Sequence, residues 1–149
     1  MKKTVIYLIA GIILTLVALV TATPVMDSIF SGQMEFANEM YNDNLYFMTA
    51  LFAVIIAWVL GAVYYYVINS VSFSRWYHWM IVLVAGALLS AIVCFVYCNG
   101  VFDTNGVDYA DELFGYSVTN LFQEALLFII VSFSIRWWSS NCRHTPIPE

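Results

Sequence analysis

Glu124 is the one carboxylate inside four long apolar runs. Asn120 precedes it by four positions and Ser117 by seven, so all three lie on one face of a helix, with Gln123 alongside. An ionisable side chain at membrane depth costs at least about 2.5–3.5 kcal/mol on insertion scales, so such groups usually face a protein interior or water and mark a functional path. Three chemistries are open to Glu124. It is a structural acid bonded to Asn120, Gln123 or a hydroxyl of another span, or it lines an oligomeric pore, or it binds a proton or cation in a transport cycle. No lysine or arginine is available at its depth, which favours a neutral carboxyl or a site open to water. The same helix then runs apolar through Leu127, Phe128 and Val131 to Ser132 and Ser134, a pattern that fits a polar vestibule above an apolar constriction.

The remaining charges are partitioned. Eight of the ten acids fall into two loops, Asp27, Glu35, Glu39 and Asp43 in one and Asp103, Asp108, Asp111 and Glu112 in the other. All five basic residues, Lys2, Lys3, Arg75, Arg136 and Arg143, fall on the opposite side of the apolar runs. The positive-inside tendency then predicts cytoplasmic termini in a multi-pass protein of the inner membrane, with an acidic mouth outside. A ring of subunits would make that mouth strongly cation-favouring. Tyr64, Tyr65, Tyr66, Trp76, Tyr77, Trp79, Trp137 and Trp138 crowd the basic boundary, as amphipathic rings do at headgroup depth.

Composition requires the same class. The chain has 149 residues, 62% hydrophobic and only 10% charged, against roughly 25% charged in ordinary globular domains. A hydrocarbon core about 30 Å thick needs about 20 apolar residues per helix, and four such runs nearly exhaust the chain. We expect spans over residues 5–22, 46–68, 79–102 and 116–138, with stops at Thr23-Pro24 and near Asn99-Gly100 and a start near Tyr116. A start there puts Glu124 roughly 12 Å along its helix. Asp27-Ser28 is expected to cap an amphipathic loop helix with Ile29, Phe30, Met34, Ala37, Met40 and Tyr41 on one face, lying over the bundle or against a neighbour. The fold class is therefore all-α, a single polytopic domain built as a four-transmembrane-helix bundle with an amphipathic outer-loop helix.

Lys2-Lys3, the apolar stretch and Val20-Thr21-Ala22 resemble a secretory signal, but the stretch exceeds a typical h-region and retention as a span is expected. Small residues mark the helix faces that meet protein: Gly11, Thr15, Ala18 and Ala22 in the first span, and Gly86, Ser90, Cys94 and Cys98 in the third. Both stripes fit contact within the bundle or between protomers. The outer loops contain no cysteine, which sets aside four-span thiol oxidoreductases.

Asp103 to Asp108 alternates oxygen ligands around a glycine, yet the glycine sits fourth instead of sixth and no acid follows at the twelfth position, so ordinary turn chemistry at Asn105-Gly106 is expected. His78, Cys142 and His144 lack the spacing of structural zinc ligands. Nothing supplies a nucleophile elbow, phosphate loop or dinucleotide fingerprint, so no enzyme activity, cofactor or metal is expected.

Four spans, inward termini and almost no extramembrane domain form a layout that resembles the small membrane subunits of bacterial anti-phage defence systems, including the four-span components of Kiwa and Hailong. The resemblance covers the whole architecture and rests on no motif. It implies a homo-oligomeric gated pore or membrane sensor acting with a cytosolic protein or a nucleotide-derived signal. Arg75, Trp76, His78, Arg136 and Arg143 are the residues available to such a partner, and so few cations argue against nucleic acid binding. A non-conducting scaffold subunit and a minimal proton-coupled transporter are the other readings.

Overall fold

The computed structural model describes residues 2–140. Arg143, with Cys142 and His144, lies outside them. The described residues form five α-helices and no strand: α1 (Lys2–Phe30), α2 (Met34–Asn42), α3 (Leu45–Ala62), α4 (Trp76–Asn105) and α5 (Ala110–Ile135). Four of these segments are long and apolar enough to cross a membrane, as a multi-pass membrane protein requires. The short connections make α1, α3, α4 and α5 run alternately up and down. Helix α5 is the most enclosed, with 44% of its most apolar window buried against 17–28% for the others. That is why it can carry the polar stripe.

Three sequence expectations about boundaries are corrected. Helix α1 does not stop at Thr23-Pro24 but runs through Pro24 to Phe30. Proline removes one backbone bond, and helices in lipid tolerate this because local adjustment re-satisfies the freed carbonyl. Asp27 and Ser28 consequently lie within the end of α1 and cap nothing. Helix α4 likewise continues past Asn99-Gly100, and α5 begins at Ala110 instead of near Tyr116. Glu124 therefore sits roughly 21 Å into its helix, close to the middle of α5.

Helix α4 ends in a Schellman turn. The Gly106 amide donates to the Asp103 carbonyl at 3.2 Å, and the Val107 amide donates to the Phe102 carbonyl at 3.1 Å. Gly106 holds φ at +75°, where a β-carbon costs roughly 1–2 kcal/mol. Gly106→Ala should lower the thermal midpoint by about 2–6 °C in detergent, from that cost and the usual shift per kcal/mol for a chain this size. An unshifted midpoint would show that the cap contributes nothing.

Helix α2 lies across one end of the bundle. Its buried face is Phe36, Ala37 and Met40, while Met34, Tyr41 and the neighbouring Ile29 are exposed, so the apolar face is narrower than the expected one. Phe36 meets Phe30, Phe102, Tyr109 and Tyr116 edge to face, with centroids 5.8–6.3 Å apart. The Asn105 amide donates to Asp43 at 2.9 Å, joining the two acidic loops.

At the other end, α3 loosens into a π-helical turn over Val63–Ile68, closed by Asn69 at φ +30°. This turn carries Tyr64 and Tyr65 into the core, where Trp79 also packs. Three of the eight boundary aromatics thus serve the core, whereas Tyr66, Trp76, Tyr77 and Trp138 stay exposed. Tyr7 stacks on Trp137 at 5.0 Å, and the Ser139 hydroxyl donates to the Asn69 side chain at 2.8 Å, so the first turns of α1, residues 137–139 and the α3–α4 link gather there.

Candidate functional site

The core is split into two apolar clusters with a polar layer between them. The cluster toward the acidic end holds Phe36, Met40, Leu45, Tyr46, Cys98, Phe102, Leu113 and Tyr116. The one toward the basic end holds Ala53, Ala57, Tyr64, Tyr65, Trp79, Leu127, Phe128, Val131 and Ile135. Ser90, Asn120 and Glu124 fall between.

Spacing along α5 produces this layering. Ser117, Asn120 and Glu124 share the face turned toward α4, and Asn120 and Glu124 are both 0% exposed. The Ser90 hydroxyl donates to Asn120 Oδ1 at 2.7 Å, which ties α4 to α5. The Ser117 hydroxyl donates to the Leu113 carbonyl at 2.8 Å and sits 4.0 Å from the Cys94 sulfur. One layer toward the acidic end, the hydroxyls of Thr49 and Tyr116 share a hydrogen bond of 2.6 Å between α3 and α5.

The Glu124 carboxyl points at α4 where Gly86 leaves space, since a β-carbon built there would lie 3.5 Å from Oε1. Among the described residues neither carboxyl oxygen has a hydrogen-bond partner, nor does the Asn120 amide nitrogen one turn away. An unmade bond of this kind costs about 1–3 kcal/mol, more if the group is charged. Such a group persists in a core when it has work to do.

No protein-family model, curated protein or solved structure matches the chain. The geometry is therefore the basis for reading the site.

Gln123 is not part of this layer. It sits one position, about 100° of helix rotation, away from Glu124 and lines a groove between α1 and α5 with Ala18, Thr21, Ala22 and Thr119. Both small-residue stripes are used inside the chain. Gly11 lets α1 approach Ser134 of α5, and Thr15 accepts from the Trp58 indole at 3.3 Å. Ala22 is buried and Ala18 half-buried. Gly86 backs onto Leu60 and the carboxyl, Ser90 holds Asn120, Cys94 adjoins Ser117, and Cys98 packs in the acidic-end cluster.

The eight loop acids all lie at one end of the bundle. Asp103 accepts from Asn99 at 3.0 Å and Asp108 from the Ala110 amide at 3.2 Å, which is local turn chemistry. Asp111 and Glu112 occupy the first turn of α5, where the helix dipole favours negative charge. Asp27, Glu35, Glu39 and Asp43 come from the end of α1, from α2 and from its C-cap. At the opposite end Arg75 and Trp76 are exposed and His78 is half-buried. Arg136 is only 2% exposed, its guanidinium 4.3 Å from the Trp137 ring centre and 5.3 Å from that of Phe133.

Sequence reasoning missed Thr49 and the role of Tyr116, which had been read as a helix boundary. Thr49 is the only serine, threonine, asparagine or glutamine in α3, and that solitude was the available signal.

Proposed function

We propose that this chain is a minimal ion-coupled transport protein of the cytoplasmic membrane, with Glu124 as the group that takes up and releases a proton or small cation. The observation that carries the reading is the fully buried, unpartnered carboxyl held between two closed apolar clusters. An ion-binding group enclosed on both sides is what alternating access needs, because each cluster can open while the other stays shut. The charge partition supports an acidic end outside, where it concentrates cations, and a basic end in the cytoplasm.

The test is flux in proteoliposomes. Under an imposed membrane potential, the wild-type chain should acidify the lumen, read by an enclosed pH dye, and Glu124→Gln should slow this by about two orders of magnitude, the effect of losing a well-placed proton-transfer group. Equal rates for the two proteins would remove Glu124 from the mechanism and defeat the reading.

A second reading draws on the eight acids gathered at one end. In a homo-oligomer these would form a cation-favouring channel mouth, gated by a cytosolic protein or nucleotide-type ligand at Arg75, Trp76 and His78, as the resemblance to defence-system subunits implies. Large single-channel currents that survive Glu124→Gln would favour it. A chain that moves no ions at all is the scaffold.

A further inference from the structure

We propose that in the conformation described here Glu124 exchanges its proton with the acidic end of the bundle, along a track formed by Tyr46, the Thr49–Tyr116 pair and the Ser90–Asn120 pair. This deepens the reading of Glu124 as an ion-binding carboxyl and rests on it, but does not require net transport.

The two directions out of the site differ. Toward the acidic end, Tyr116, Asn120 and Glu124 follow one another at single helical turns, each about 6 Å along α5. Two of the three have a hydroxyl from another helix beside them: Thr49 at Tyr116 and Ser90 at Asn120. The Tyr46 ring packs on Tyr116 with centroids 5.6 Å apart. Among the described residues Tyr46 Oη, Asn120 Nδ2 and both Glu124 oxygens are buried without partners, so donor and acceptor capacity remains open at these four atoms. Where space for one water molecule lies between such groups, that water bridges two to four of them.

Toward the basic end the next residues on the same face are Leu127, Phe128 and Val131, all 2% exposed or less, opposed by Ala53 and Ala57 of α3 at 0%. The next side-chain polar atom on α5 is the Ser132 hydroxyl, held by the Trp79 indole at 3.1 Å and roughly 12 Å along the helix from Glu124. Along α5 itself, two turns without a side-chain donor or acceptor carry no relay in this conformation. The titratable groups on the track side are Tyr46 from α3, Cys94 and Cys98 from α4 and Tyr116 from α5, all buried.

The transfer balances simply. A proton leaves water at the acidic end, each hydroxyl or water on the track accepts one and passes on its own, and the Glu124 carboxylate becomes a carboxylic acid. The reverse sequence restores the carboxylate and leaves the track unchanged.

The experiment uses the full chain in liposomes, sorted for orientation, with a pH jump applied to one side while the protonated-carboxyl stretch is followed by infrared absorption. The band that disappears in Glu124→Gln belongs to Glu124. It should respond at least about tenfold faster to a jump at the acidic-end side than to the same jump at the basic-end side, where the basic-end cluster must first open. Thr49→Val and Tyr116→Phe should slow the response about tenfold at unchanged amplitude, and Thr49→Ser, which keeps the hydroxyl, should restore the rate even if Tyr116→Phe fails to fold. A band that follows the basic-end side as fast or faster, or follows neither side, overturns the proposal, as does a wild-type rate in Thr49→Val. Faster exchange from the acidic end in a protein that shows no flux would leave this inference standing and defeat transport. Flux lost in Glu124→Gln, with faster exchange from the basic end, would do the opposite.

Discussion

Glu124→Leu should yield a bundle that withstands heating better than the parent and carries no protons at all. Both effects come from the same two oxygens. In the wild-type chain they are fully buried and unpartnered, a cost of about 1–3 kcal/mol. Leucine has similar volume and no polar atom, and it would meet Leu60 beside Gly86 and the apolar neighbours on α5. Removing the unmade bonds should raise the thermal midpoint by about 2–6 °C for a chain of this size, while proton uptake falls to the leak of empty liposomes. Asn120→Leu should behave in the opposite way, because it strands the Ser90 hydroxyl that now donates at 2.7 Å. Stability gained as activity is lost is the signature of a site kept against the interest of the fold. A Glu124→Leu protein that melts earlier than the parent would mean that the carboxyl holds the bundle together.

Much of this site could be read in the sequence, and the parts that could not have physical reasons. The periodicity of Ser117, Asn120 and Glu124 within an apolar run announced a polar face, because helical geometry alone places them together. Gln123, adjacent in sequence, was grouped with them and proves to face the groove beside α1. The Thr49–Tyr116 bond joins residues 67 positions apart, and no local pattern encodes such a pairing. The small-residue stripe in α4 was legible as a packing face, yet nothing in its spacing said that Ser90 would bond Asn120 or that Gly86 would leave room for a carboxyl.

Helix ends misled for a different reason. Pro24 and Gly100 stop helices in water, where the chain has alternatives, but in α1 and α4 the neighbouring turns are already committed and the helix runs on. The depth of Glu124 was underestimated as a direct result. The four spans themselves were plain, since length and hydropathy leave one architecture.

Gly11→Val should cost the fold about 3 kcal/mol, at the upper end for forcing extra carbon into a packed contact. A β-carbon at Gly11 would fall onto the Ser134 side chain, on an α5 backbone that already meets α1 closely. Valine adds two methyls beyond that, so α1 must move off α5. Two attachments flank the contact and would loosen with it, the Trp58 indole bond to Thr15 and the stack of Tyr7 on Trp137. Since α1 is the least enclosed of the four long helices, it has little else to hold it. The expected readout is loss of most monodisperse protein in detergent and a red shift of tryptophan emission as Trp58 and Trp137 gain polar surroundings. Gly100→Val supplies the comparison, because nothing lies within 4 Å of a β-carbon there, and it should leave both readouts unchanged. Exchanging the two partners, Gly11→Ser with Ser134→Gly, moves the hydroxymethyl from one helix to the other and should recover most of what Gly11→Ser alone loses. Equal behaviour of Gly11→Val and Gly100→Val would show that α1 is held in lipid by something other than close approach to α5.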